Sequence, residues 1–198
     1  MTLKLGILGS TRGSNLDPII SAISSGELDA KIRVIISNKN DAPILERARH
    51  YKIAHHAINP NGKHREQFDR EVHNMLMEYR IDMVLLIGYM RIVSSWFCEK
   101  WSDLILNIHP SLLPKHAGLM DLSVHQSVLE AKEKESGCTI HYVTSQVDAG
   151  TVIIQKRCPV YPEDTDTTLK ARVQNLEGEA WIEALKKCIN ITKINCKK

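Results

Sequence analysis

The sequence predicts an α/β fold, a Rossmann-like, mostly parallel sheet with helices on both faces and an added antiparallel pair of strands. Three observations lead there. Short apolar runs alternate with helix-period segments through most of the chain, the pattern of repeated β-α units. One run, Ile81–Ile87, is apolar almost throughout, as a strand buried on both faces should be. Two later strand-like runs are separated only by Ser145–Gly150, which can form a turn but cannot hold a crossover helix.

Taken in order, Leu3–Leu8 reads as the first strand, followed by a polar loop and a helix over Asn15–Ser25, with Pro18 tolerated in its first turn. Lys31–Ser37 is strand-like, and Asp41 with Pro43 announces a helix ending near Tyr51. Ile53–Ile58 is a third strand. Arg65–Arg80 is an amphipathic helix, with Phe68, Val72, Met75, Leu76 and Tyr79 at helical spacing. After Ile81–Ile87 come a short helix (Ser94–Trp101) and a strand (Leu104–Ile108). A helix over Ser123–Lys134 then precedes the strands Thr139–Thr144 and Thr151–Arg157 and a final helix, Thr165–Ile189. No repeat or linker interrupts the chain, so residues 1–198 are expected to form one domain, with 189–198 as a tail.

The 198 residues are 43% hydrophobic and 25% charged, which suits a globular protein with a core of its own. A net charge of +3 is too small and dispersed for a nucleic-acid partner. No stretch approaches the length of a membrane span. Five scattered cysteines, none at metal-ligand spacing, point to a reducing compartment, hence the cytoplasm.

In an open α/β sheet, ligands bind beyond the carboxyl ends of the parallel strands. Three polar clusters fall there: Gly13-Ser14-Asn15, Met90-Arg91-Ile92 and Asn107-Ile108-His109. Asn107 and His109, two apart on a strand, share a face. The loop Gly9–Asn15 runs into a helix start, whose free N–H groups and dipole favour an anion. It has neither the lysine of a phosphate loop of the Walker type nor dinucleotide spacing, so a single phosphate fits it best. Read singly, each feature also has a structural explanation. The loop is a tight turn, Asn107 a strand-end cap, Asp148 ordinary turn chemistry, Arg91 a solvated charge, and Gln174 with Glu177 a solvated helix face. His55 and His56 are adjacent and point to opposite strand faces, against a metal site.

Read together, these residues resemble a known family. Asn107-Ile-His-Pro-Ser-Leu-Leu-Pro114 is similar to the signature of the formyltransferases that use 10-formyltetrahydrofolate, and so are Gly88–Ile92 before it and Val147–Gly150 after it. The likeness extends from Leu5 to about Trp181 through Gly13–Leu16, Ser37-Asn38, Glu46–Arg49, Arg65, Phe68–Glu71 and Ala171–Gln174. Within the family it is strongest to the branch whose acceptor is the amine of glycinamide ribonucleotide, in purine synthesis.

The resemblance implies roles. Asn107, His109 and Asp148 match the catalytic trio. Gly13, Ser14 and Asn15 match the ribonucleotide phosphate loop, and Gln174 and Glu177 match further ribonucleotide contacts. Arg65, Met90, Arg91, Ile92, Val93, Asn107, Thr144, Ser145, Gln146, Val147 and Asp148 match folate-contacting positions. The co-substrate is then 10-formyltetrahydrofolate, without a metal, nucleic acid or membrane, in a monomer or homodimer. Two departures stand out: Thr11 replaces a usual glycine, and 118–126 is longer by a few residues.

Attack of an amine on the formyl carbon makes the oxygen negative and the nitrogen positive, so donors to the oxygen and a proton route are needed. Asn107 and protonated His109 can donate, with Asp148 raising the pKa of His109 above ~6.5 and organising a water that relays the proton. A hydrolase of the same family resembles this core but normally carries an extra N-terminal domain, and the tRNA-directed branch a C-terminal one. A non-catalytic binding module has no need of the trio.

Overall fold

In the computed structural model, backbone is described for residues 2–195 and side chains through Asn190. The chain divides into two compact units, Met1–Leu106 and Asn107–Lys198, and the division falls inside a strand.

The first unit is built on β1 (Leu3–Leu8), β2 (Ala30–Ser37), β3 (His55–Ala57) and β4 (Met83–Leu86), with the start of β5 (Ile105–His109) beside β4, in the order β3-β2-β1-β4-β5. Strands β1, β2, β3 and β4 pair in parallel. Every residue of β4 is buried, which explains its unbroken apolar sequence. The path β1-β2-β3 runs one way through α1 (Leu16–Ser24) and α2 (Pro43–His50), then returns through α3 (Arg65–Glu78) to β4. Right-handed crossovers therefore put α1 and α2 on one face and α3 on the other. The reversal between β1 and β4 is a topological switch point, where the loops after both strands open a crevice. Pro43 presets the first turn of α2. The Ser94 hydroxyl caps α4 (Ser95–Lys100) by accepting from the Phe97 N–H at 3.3 Å.

The second unit contains the end of β5, α5 (Leu122–Glu130), β6 (Glu135–Tyr142), β7 (Val152–Pro159) and α6 (Asp166–Asn195), with strand order β5-β6-β7. Strands β6 and β7 are antiparallel, from Glu135↔Pro159 to His141↔Val152, as the short connection requires. Helix α6 buries Leu169, Val173, Ala180, Trp181, Ala184, Leu185 and Cys188, a helical-period stripe. It continues through Asn195, into the segment expected as a tail, and 196–198 lie outside the described residues.

The main departure from sequence expectation lies between α5 and β6. The helix ends at Glu130, and the strand begins at Glu135 instead of Thr139. Glu135, Ser136 and Gly137 are weak strand formers, and the strand exists because its partner is there. Gly137 lies so close to β7 that a Cβ on it would be 1.8 Å from the Lys156 carbonyl oxygen.

Candidate active site

Strand β5 ends in Asn107 and His109, and the turn between β6 and β7 brings Asp148 to them. Asp148 adopts a left-handed backbone conformation, φ 53°. Its carboxylate lies 3.2 Å from His109 Nδ1 and 3.5 Å from His141 Nε2, and accepts the Gly118 N–H at 2.8 Å. Asn107 Nδ2 is 3.2 Å from His141 Nε2. The side chains of His109, His141 and Asp148 are 4%, 2% and 9% exposed, so this polar cluster is nearly dry.

Sequence reasoning missed His141. Its signal is the strand period: Thr139 and His141, two apart on β6, are both buried polar residues. It missed His116 as well. The His116 carbonyl, 3.1 Å from His109 Nε2, occupies the second ring nitrogen of His109.

The loop from Pro110 to His116 is braced from behind. Thr139 Oγ1 accepts the Leu113 N–H at 3.1 Å and donates to the Ser111 carbonyl at 2.6 Å. Gln155 Nε2 donates to the Leu113 carbonyl at 2.8 Å, and the Ser111 hydroxyl to the Lys115 carbonyl at 2.7 Å. These bonds satisfy a buried backbone that belongs to no ladder.

Burial pushes the pKa of His109 below the ordinary histidine value, and the Asp148 carboxylate and the His116 carbonyl only partly offset it. The expectation that Asp148 would lift His109 above ~6.5 is therefore overturned: removal from water outweighs the one charge beside it. His141 is lowered too, again chiefly by burial. His109 Nε2 donates to the His116 carbonyl, so Nε2 can offer a lone pair only when that carbonyl moves aside and the single ring proton of the neutral form sits on Nδ1, toward Asp148.

In the first unit, the loop after β1 leads into α1 as expected. Ser14 is exposed, Gly13 and Asn15 are buried, and Leu16 N–H closes the turn on the Gly13 carbonyl at 3.0 Å. The Ser10 hydroxyl accepts from the Met90 N–H at 2.8 Å and donates to Asn38 Oδ1 at 2.6 Å, tying together the loops after β1, β2 and β4. Thr11 packs its hydroxyl where a Cβ on Gly88 would be 2.1 Å away, so the bulk at Thr11 is matched by a glycine opposite.

Met90 and Ile92 are 40% and 45% exposed, large apolar side chains left facing solvent, while Val93 is buried. Arg91 is not simply solvated: its guanidinium lies 4.4 Å from the Phe68 ring centroid. Buried Asp69 accepts the Ser94 N–H at 2.5 Å and so anchors the end of this segment. Arg65 is exposed at the start of α3.

In the second unit, Thr144, Ser145, Gln146 and Val147 are exposed on the turn that carries Asp148. On α6, Gln174 is exposed but Glu177 is 7% exposed, so a uniformly solvated face does not describe the pair. The segment 118–126 folds into a turn held by Ser123 on Met120, with Asp121 paired to Lys170 at 2.5 Å, and then opens α5. His125 there is 1% exposed, and burial pushes its pKa down to about 4. Among the described residues no group of three or more His, Cys, Asp and Glu side chains is arranged to hold a metal ion.

A family model described as formyl transferase matches residues 3–185. The chain is 40% identical over 176 residues to a phosphoribosylglycinamide formyltransferase of Escherichia coli (strain K12), covering 88% of this chain and 82% of the relative. It is 37% identical over 179 residues to the Haemophilus influenzae protein of the same name, covering 90% and 83%. Among solved structures, glycinamide ribonucleotide transformylase 1 from Symbiobacterium toebii matches with a TM-score of 0.89 at 36% identity, over 93% of this chain and 86% of that one.

Proposed function

The chain belongs to the formyl transferase family, and we propose that it moves a formyl group from 10-formyltetrahydrofolate to the amine of 5'-phosphoribosylglycinamide, a step of purine synthesis. The observation that carries this reading is the nearly dry pair of His109 and Asp148, to which Asn107 is joined through His141.

The chemistry follows from the groups present. The acceptor amine adds to the formyl carbon, and the carbonyl electrons move to oxygen. The amide N–H of Asn107 donates to that oxygen, in a dry site where such a donor counts most. His109, largely neutral, takes the surplus proton of the amine at Nε2, and Asp148 stabilises the resulting imidazolium through Nδ1–H. As the carbon–nitrogen bond to folate breaks, the imidazolium returns that proton to the departing nitrogen. One carbon–nitrogen bond forms, one breaks, and one proton passes from amine to folate. The low pKa of His109 suits a base that must be unprotonated when the amine attacks.

Gly13, Ser14 and Asn15 take the ribonucleotide phosphate on the N-terminus of α1, and Gln174 and Glu177 hold the rest of the acceptor. The exposed apolar side chains of Met90 and Ile92, with Arg65, Arg91, Val93 and the turn 144–148, take the folate and its anionic tail. The cysteines among the described residues are free and buried, in keeping with reaction in the cytoplasm, and the working form is a monomer or homodimer. No described helix is long and apolar enough to cross a membrane.

The trio alone could serve water as well as an amine, so the test is acceptor dependence. 10-Formyltetrahydrofolate should be stable with the protein alone and be consumed when the ribonucleotide is added, followed by absorbance of the folate product. Rapid acceptor-independent release of formate would make the protein a hydrolase.

A further inference from the structure

The proposed reaction needs an N–H of Asn107 at the formyl oxygen, and an amide side chain can face either way. Its nitrogen and oxygen ends are nearly the same size, so hydrogen-bond partners, not packing, decide which end points where. Turned over, Asn107 would set a carbonyl oxygen against the developing negative charge. Correct orientation calls for a neighbour that can accept from the amide nitrogen but cannot donate to the amide oxygen.

His141, on the strand beside β5, is such a neighbour. Its Nδ1 lies 2.9 Å from the Tyr142 carbonyl oxygen, which can only accept, so Nδ1 carries a hydrogen. Burial lowers the pKa of His141, so the ring is neutral at neutral pH and has that one hydrogen alone. Nε2 is then a bare lone pair. Asn107 Nδ2 lies 3.2 Å from it, where an amide N–H can donate to that lone pair. With the amide reversed, two acceptors would face each other at this distance, and both would go unpaired. Asp148 does not require a hydrogen from His141: its carboxylate stands 3.5 Å from Nε2 and already accepts the Gly118 N–H at 2.8 Å. The two residues differ in access. Asn107 is half-buried and can meet a substrate, whereas the His141 side chain is 2% exposed and can act only through its neighbours.

Resting on the formyl-transfer reading above, we propose that His141 is a positioning residue: its Nε2 lone pair holds one N–H of Asn107 and so aims the other at the formyl oxygen. The Tyr142 carbonyl sets the His141 tautomer, the tautomer sets the Asn107 amide, and the amide meets the oxygen. A donor fixed in advance stabilises the oxyanion without having to turn as the charge develops.

Imidazole nitrogen NMR of the whole unsubstituted protein, without substrate, should show the His141 hydrogen on Nδ1 and Nε2 bare. A hydrogen on Nε2 overturns the arrangement whatever reaction the protein catalyses. The kinetic test is His141→Asn, whose shorter amide keeps a donor for the Tyr142 carbonyl but withdraws the acceptor from Asn107. Its kcat should fall about tenfold, as loss of one orienting hydrogen bond predicts, with KM for both substrates little changed. In the Asn107→Ala background the same substitution should cost nothing further, because the amide it orients is gone. A purely structural His141 gives losses that multiply in the double variant. That result, or an unchanged kcat in folded His141→Asn, overturns the proposal. Absence of acceptor-dependent transfer in the unsubstituted protein refutes the functional reading instead, and the nitrogen spectrum still decides the pairing.

Discussion

His125 is the side chain whose removal should change the protein's acid stability most visibly. It lies in α5, 1% exposed, with its Nδ1 lacking a partner. Burial is the main reason its pKa falls from 6.5 to about 4. Lys170 and His109 push the same way, and Asp121 and Asp166 offset part of it. The unfolded chain takes up a proton at this residue near pH 6.5, whereas the folded protein resists until about pH 4. Over that window the unfolded state binds more protons, so stability is intact above pH 6.5 and is lost as pH falls toward 4. At ~1.4 kcal/mol per pH unit, this gap makes the single ring responsible for about 3 kcal/mol. Urea unfolding of the unsubstituted protein and of His125→Gln, at half-unit steps across the window, isolates the effect, because the other acid-sensitive groups are common to both. The unsubstituted protein should lose about 3 kcal/mol more than the variant. Parallel curves would refute the reasoning and mean that His125 is hydrated or paired in solution.

His109→Ala should lower kcat by ~10²-fold or more with folding intact, and near-normal turnover in a folded variant would remove His109 from the chemistry. In the proposed reaction the neutral form of His109 acts as the base, so activity should fall as pH drops below the usual histidine range. Asp148→Asn removes the largest influence holding that pKa up, so the acid limb of the kcat/KM profile should move to lower pH as kcat falls. A limb that stays in place, or rises, contradicts the pairing. Gly13 has φ 64°, and a Cβ there would lie 2.6 Å from Ile44, so Gly13→Val should distort the start of α1. KM for the ribonucleotide should then rise far more than KM for the folate in steady-state assays, and equal rises would reduce the loop to a structural turn.

Much of this protein could be read from local pattern. The apolar run at Ile81–Ile87 marks β4, because a strand covered on both faces has no polar side to alternate with. The short Ser145–Gly150 connection requires the antiparallel pair, because no crossover fits. The i, i+2 spacing of Asn107 and His109 sets them on one strand face, and the ordered motifs around them identify the family. These are properties of a few neighbouring residues, and sequence carries them directly.

What only the tertiary structure decided depends on residues far apart in the chain. The first half of β6 has little strand character of its own and exists because β7 pairs with it across Gly137. His141 joins the cluster because β6 places it opposite Asn107 and Asp148, contacts that no motif announces. The sign of the His109 shift shows the same limit. From sequence, the visible influence is the carboxylate of Asp148, which raises the pKa, whereas the opposing influence is loss of water around the ring. Desolvation is a sum over every group packed against a side chain, so the fold as a whole determines the sign of the His109 shift.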